Sequence, residues 1–165
     1  MPRLALPSHR RASEDGVRLA SGLRLEQFAR AGSGDAFCFV GEGGAEPLVV
    51  CYVSLYGEAG PIGRGLPELV RLSLVVPWWR DAPGRTDVEL GAVADEYRED
   101  VPGFDGRHDR AARALGLGPA GLPSAATALA RLVEFARGPV SEECLVVGYD
   151  GDPLAPLFVR AAPHR

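Results

Sequence analysis

The sequence predicts an α+β fold, a mostly antiparallel sheet packed with about four helices, on three observations. Short β-patterned runs come first, amphipathic helical segments fill the middle, and two more β-patterned runs close the chain. Turn residues punctuate the runs at close spacing. No internal repeat is present, and no stretch has the composition of an interdomain linker.

Residues 1–16 are polar, contain proline and show no period, which reads as a loose N-terminal arm ahead of one domain over 17–165. From Val17 the pattern turns β: VRLA, LRLEQFA and DAFCFV are short runs divided by Ser21-Gly22 and by Gly32-Ser33-Gly34. LVVCYVSLY (48–56) is apolar on both faces, as in a central strand covered on both sides. GEAGPIGRG (57–65) reads as a loop, because its glycines and proline interrupt any strand pattern.

A first helix is expected over 66–76, with Pro67 in its first turn and Pro77 ending it. A second begins at Thr86-Asp87-Val88-Glu89, a capping-box pattern, and stops at Pro102-Gly103. Its Leu90, Val93, Ala94, Tyr97 and Val101 form one apolar face. A third runs from Arg107 to Leu115 with an N-cap near Asp105. A fourth runs from Ser124 to Gly138-Pro139, with Leu129, Leu132, Val133 and Ala136 inward. The closing strands are ECLVVGYD and APLFVRA, joined by a turn around Gly151-Asp152-Pro153.

A chain of 165 residues fits one domain of ordinary size. Such a chain buries roughly 70% of the surface its unfolded form exposes, so the fold needs no disulfide or metal staple. All 18 basic residues are arginine, set in a composition rich in Ala, Gly and Pro. The net charge of −4 and the scattering of arginines among acids argue against direct DNA or RNA binding, which uses a basic stripe. Cys38, Cys51 and Cys144 each lie in an apolar run without metal-site spacing, as buried free thiols of a reducing compartment do. No apolar run approaches the ~20 residues of a membrane span, and the start has no signal-peptide pattern. A cytoplasmic location is the expectation.

Catalytic chemistry finds few candidates. His9 and His164 lie near the termini, so only His108 sits within a folded stretch. With Asp105 and Asp109 it could share a helix face and hold a metal or act as a base; an N-cap Asp followed by a solvated first turn explains the same residues. GLGPAG (116–121) matches a dinucleotide fingerprint in form, but a helix precedes it and Pro119 removes an amide. GPIGRG lacks the Lys-Ser/Thr of a phosphate loop, and Ser33 lacks the spacing of a nucleophile elbow, so turn chemistry suffices for it. No catalytic residue, cofactor or metal is assigned.

Two surface features remain. The segment DEYREDVPGFDGRHD collects Asp95, Glu96, Glu99, Asp100, Asp105 and Asp109, with acids in the last turns of a helix where they oppose the macrodipole. It reads either as a patch for a basic partner or as charge neutralised locally by Arg107, Arg110 and Arg113. Trp78 and Trp79, followed by Arg80 and Asp81, are candidate contact residues, although adjacent side chains point different ways and at least one of them belongs in a core.

FARAGSGDAFCFV and PLVVCYVSLYGEAGPIGRGLPELVRLSL resemble the SMI1/KNR4 (SUKH) superfamily over residues 17–79. The matching features are Phe28-Ala29, the turn Gly32 to Asp35, Phe37 and Phe39, the strand Val49 to Tyr56, and the Leu-rich helix Leu66 to Leu74. The family's N-terminal Leu-Pro with an acidic-aromatic pair is not matched, since Leu6-Pro7 is followed by Ser8-His9-Arg10. The resemblance implies a SUKH-like α+β fold without enzymatic activity. It also implies, in bacteria, an immunity protein that binds and neutralises a toxin domain, often a nuclease. The competing expectations are a small hydrolase or transferase using His108 with its neighbouring acids, and a general scaffold domain.

Overall fold

The computed structural model describes residues 16–118 and 121–158. The expected arm up to Asp15, His9, Pro119, His164 and the end of APLFVRA lie outside the described residues.

The sheet forms where the β-patterned runs predict it. Strands β1 (Arg18–Leu19), β2 (Leu25–Arg30), β3 (Ala36–Val40) and β4 (Val49–Val53) come in order, followed by β5 (Glu58–Arg64) and, late in the chain, β6 (Val146–Val147) and β7 (Ala155–Pro156). Five of them make a sheet of order β2-β3-β4-β5-β7, and β1 pairs with β6 in a small second sheet. Neighbours are antiparallel except β5 and β7, which run parallel.

Strand β5 corrects the expected loop at 57–65. Its Pro61 falls at a bulge, where the register jumps from Val50↔Gly63 to Cys51↔Pro61, a place where a missing N–H is tolerated. Its glycines mark close approach rather than a turn. A Cβ on Gly60 would stand 3.1 Å from the Leu157 Cβ, and one on Gly63 would stand 3.2 Å from the Glu68 Cβ. The closing strands are shorter than expected, two residues each. A short helix occupies the start of ECLVVGYD, and after β7 the Leu157 amide still donates to the Ala59 carbonyl at 2.9 Å while the side chains of Leu157 and Phe158 are buried in the core, 3% and 6% exposed.

The four longer helices are α1 (Gly65–Val75), α2 (Asp87–Asp100), α3 (Phe104–Ala114) and α4 (Ala125–Arg137), and the short helix is α5 (Val140–Glu143). Thr86 caps α2 with both halves of the expected capping box. Ser124 caps α4, its Oγ accepting from the Thr127 amide at 3.2 Å. Helix α3 begins earlier than expected: Gly103 at φ 68° turns the chain directly into Phe104, so Asp105 is a first-turn residue and not the cap.

The central position of β4 explains its unbroken apolar run, since all five residues are buried. Alternation along β3 and β4 sends Phe37, Phe39, Val50 and Tyr52 to a face covered by α1, α2 and α4. Ala36, Cys38, Val40, Val49, Cys51 and Val53 face the other way, against Leu19, Cys144 and Val146. Two apolar clusters thus sandwich the sheet. Among the described residues no helix is long and apolar enough to cross a membrane.

Candidate functional site

The acidic segment folds into an edge made by the end of α2 and the start of α3. Asp95, Glu96, Glu99, Asp100, Asp105 and Asp109 are all exposed. On α2 the pairs Asp95/Glu99 and Glu96/Asp100 stand four residues apart, so like charges are neighbours on the helix surface. On α3 Asp105 and Asp109 share a face, whereas Arg107, two residues beyond Asp105, points the opposite way.

The base that works within this edge is Arg98. Its Nη1 lies 3.4 Å from Asp95 Oδ1 and its Nε 4.0 Å from Asp105 Oδ1, which ties α2 to α3. Its guanidinium also sits 5.7 Å from the ring centre of Trp78. Arg107, Arg110 and Arg113, the expected neutralisers, form no ion pair among the described residues. Glu96, Glu99 and Asp100 likewise have no cationic partner among them.

Trp78 and Trp79 are moved from the surface to the core: they are 4% and 3% exposed. Trp79 meets Tyr52 edge-on at 5.0 Å, while Trp78 packs with Tyr97 and Phe104 at 5.8 and 6.4 Å. The sequence expected at least one of them inside. Both fit because the chain makes a tight 3-10 turn over Trp79–Asp81, which sends the two rings to different parts of one apolar cluster. Trp79 offers no contact surface, and Trp78 offers only the small part of its ring that lines an adjoining groove.

Beside the edge lies a groove of about 590 Å³ lined by the apolar Leu74, Trp78, Phe104 and Leu122 and by the charged Arg98, Arg113, Asp105 and Asp109. His108 lines it, with Nδ1 3.1 Å from Asp109 Oδ1. This joins two of the three residues considered for catalysis, but no Ser, Thr, Cys or Lys is among the groove's described lining residues to act as nucleophile. Among the described residues no group of His, Cys, Asp and Glu is arranged to hold a metal. What the arrangement can do is receive a polypeptide segment with some apolar side chains, having an apolar floor and charges of both signs around it.

A second polar cluster gathers around the turn that holds Ser33. Asp35, 4% exposed, accepts from Ser33 Oγ at 2.6 Å, from the Leu55 amide at 3.0 Å and from Arg80 Nη1 at 3.4 Å. Burial works to raise the pKa of this carboxyl. The hydrogen bonds from Ser33, Leu55 and Tyr52, with the charge of Arg80, more than offset that and hold it below its ordinary value. Burial, then the bond to Asp35, pushes Tyr52 up to about 12. One carboxylate thereby links the β2–β3 turn, the end of β4 and the turn after α1. Its partners use its acceptor capacity from inside the protein, which makes it a structural tie.

The thiols of Cys38, Cys51 and Cys144 are buried, as their apolar runs suggest. Burial drives Cys51 far above its ordinary pKa, and burial with the neighbouring Glu143 raises Cys144 to about 12, so neither is an activated nucleophile. The sequence reading missed Tyr56 and Tyr149, exposed at 90% and 94%. Tyr56 was hidden in the apolar run 48–56, whose strand ends at Val53; the Ser54 hydroxyl then accepts from the Tyr56 amide at 3.1 Å and opens a turn.

Comparison with protein-family models, with curated proteins and with solved structures finds no match to this chain.

Proposed function

We propose that this chain is a non-enzymatic protein-binding domain of the SMI1/KNR4 kind, an immunity protein that neutralises a toxin by covering a basic surface of it with the α2–α3 edge. The observation that carries the reading is the exposed, unneutralised acid at the end of α2. Glu99 and Asp100 oppose the helix macrodipole, at a cost of about 0.3–1 kcal/mol each. Their like-charged neighbours at i−4 add roughly 0.2–0.5 kcal/mol per pair. A helix whose first turn is so well capped but whose last turn is so poorly charged has acids placed for something outside the chain. The adjoining groove supports this reading with an apolar floor next to the charge.

The SUKH part of the proposal is supported by continuity. The residues that carry the resemblance, from Phe28 to Leu74, fold as one connected unit of β2, β3, β4, β5 and α1. The Gly32–Asp35 turn is tied to the rest through Asp35.

The test is capture from a lysate of the native host by immobilised protein, beside the triple variant Glu96→Lys, Glu99→Lys, Asp100→Lys. The expected result is a basic protein retained by the wild type and lost by the variant, whose toxicity on expression is relieved by co-expressing this chain. A captured protein retained equally by the triple variant would remove the edge from the account. Relief of toxicity without binding would remove the neutralisation mechanism.

A further inference from the structure

A second cleft, of about 970 Å³, meets the groove at Pro123 and opens between β5, α1, α4 and α5. Three arginines from three separate elements line it: Arg64 at the end of β5, Arg71 on α1 and Arg131 on α4. Together they concentrate cation in a chain whose net charge is −4. None of the three forms an ion pair among the described residues.

The two acids of the cleft, Glu68 and Glu134, leave it one net positive charge. Glu68 is turned to the backbone, its Oε2 accepting from the Arg64 amide at 2.6 Å, and neither carboxylate is in ion-pair contact with the three arginines. The Arg64 guanidinium stands 5.5 Å from the ring centre of Phe135, a contact that orients its donors before any ligand arrives. Below the arginines the wall is apolar, formed by Ile62, Leu72, Leu132 and Phe135. Gly63 keeps the strand side low, because a side chain there would collide with Glu68. Like charges gathered without partners repel one another, and an anion in their midst removes that repulsion.

We propose that this cleft binds a small organic anion: a phosphate or carboxylate held by Arg64, Arg71 and Arg131, with an apolar body against Leu132 and Phe135. The volume lies in the range of small-molecule sites, and planar guanidiniums suit both oxyanions. The site stands apart from the α2–α3 edge and does not depend on the protein-binding reading.

The test is fluorescence titration of the full chain with the anionic naphthalene dye 8-anilinonaphthalene-1-sulfonate, competed by phenyl phosphate and by benzoate. The expected result is saturable one-to-one binding, displaced by either competitor; the stronger one identifies the oxyanion. Arg64→Ala/Arg71→Ala/Arg131→Ala should weaken it by about tenfold or more. Arg71→Glu alone, on the exposed face of α1, repeats the test should the triple variant not fold. Absence of saturable binding, or affinity unchanged in folded Arg71→Glu and triple variants, would overturn the proposal. So would displacement by neutral benzyl alcohol as strong as that by benzoate.

Discussion

Replacing Asp35 by Asn probes the tie that joins two turns of the sheet to the segment after α1. The substitution keeps the shape and one acceptor for the Leu55 amide, but removes the charge that Ser33, Tyr52 and Arg80 serve. A hydrogen bond to a charged group contributes about 1.5–3 kcal/mol, against roughly 1 for a neutral one. Arg80 adds little as an ion pair, because its side chain is 41% exposed and solvent screens it. Losing the charged character of the buried bonds therefore costs about 2 kcal/mol, and Asp35→Ala about 3–4 kcal/mol. Urea denaturation of wild type and variant at a series of pH values measures it. The folded-state pKa lies below the unfolded one, so the stabilisation is complete above the unfolded value near ~4 and is lost as pH falls through the folded value. The stability gap should be full at neutral pH and should close in acid below that range. A gap under ~0.5 kcal/mol at neutral pH, within the scatter of ordinary surface substitutions, would refute the reasoning. So would a gap that stays constant into strong acid.

Gly60→Ala should destabilise by about 1–3 kcal/mol, because the new methyl meets Leu157 from β5's close-packed side; a melting temperature equal to wild type would show the strand can shift. Glu99→Gln and Asp100→Asn should each raise stability by about 0.3–1 kcal/mol in low salt, read by thermal melts, with the gain shrinking as salt is added. The native protein should react with none of its thiols on mixing with Ellman's reagent, whereas unfolding in guanidinium should release Cys38, Cys51 and Cys144 together. A fast native-state phase would mean that one of them is reachable.

Much of the architecture was legible because period and punctuation agreed. The continuous apolar run at Val49 to Val53 became the central strand, and the Thr86 and Ser124 caps opened helices where their chemistry required. Strand β5 was not legible, since Gly60, Pro61 and Gly63 look like turn residues and serve close packing and a bulge instead. The brevity of β6 and β7 was hidden for the converse reason, because Leu157 and Phe158 have the apolar character of a strand whether they are buried in a ladder or, as here, just past the end of one.

At the candidate site, the acids of α2 and α3 could be read as exposed from their charge. Arg98 is also legible as the one base in the last turns of α2, three residues from Asp95, but its reach to Asp105 is not. Arg107 and Arg110, the next bases in sequence, make no ion pair among the described residues, and Arg98 reaches Asp105 only because two helices meet. The tryptophan pair failed as a surface because apolar size signals core and interface alike. The arginine cleft was invisible because Arg64, Arg71 and Arg131 come together only through packing.

The central claim is that the α2–α3 edge recognises a basic protein. Its most direct measurement is the dissociation constant of the captured partner for wild type and for Glu96→Lys/Glu99→Lys/Asp100→Lys, at low and at raised salt. The account predicts an affinity for wild type that falls with salt, and a loss of about 100-fold or more in the variant, equivalent to roughly 2.8 kcal/mol. Equal affinities for the two proteins, with no dependence on salt, would contradict it.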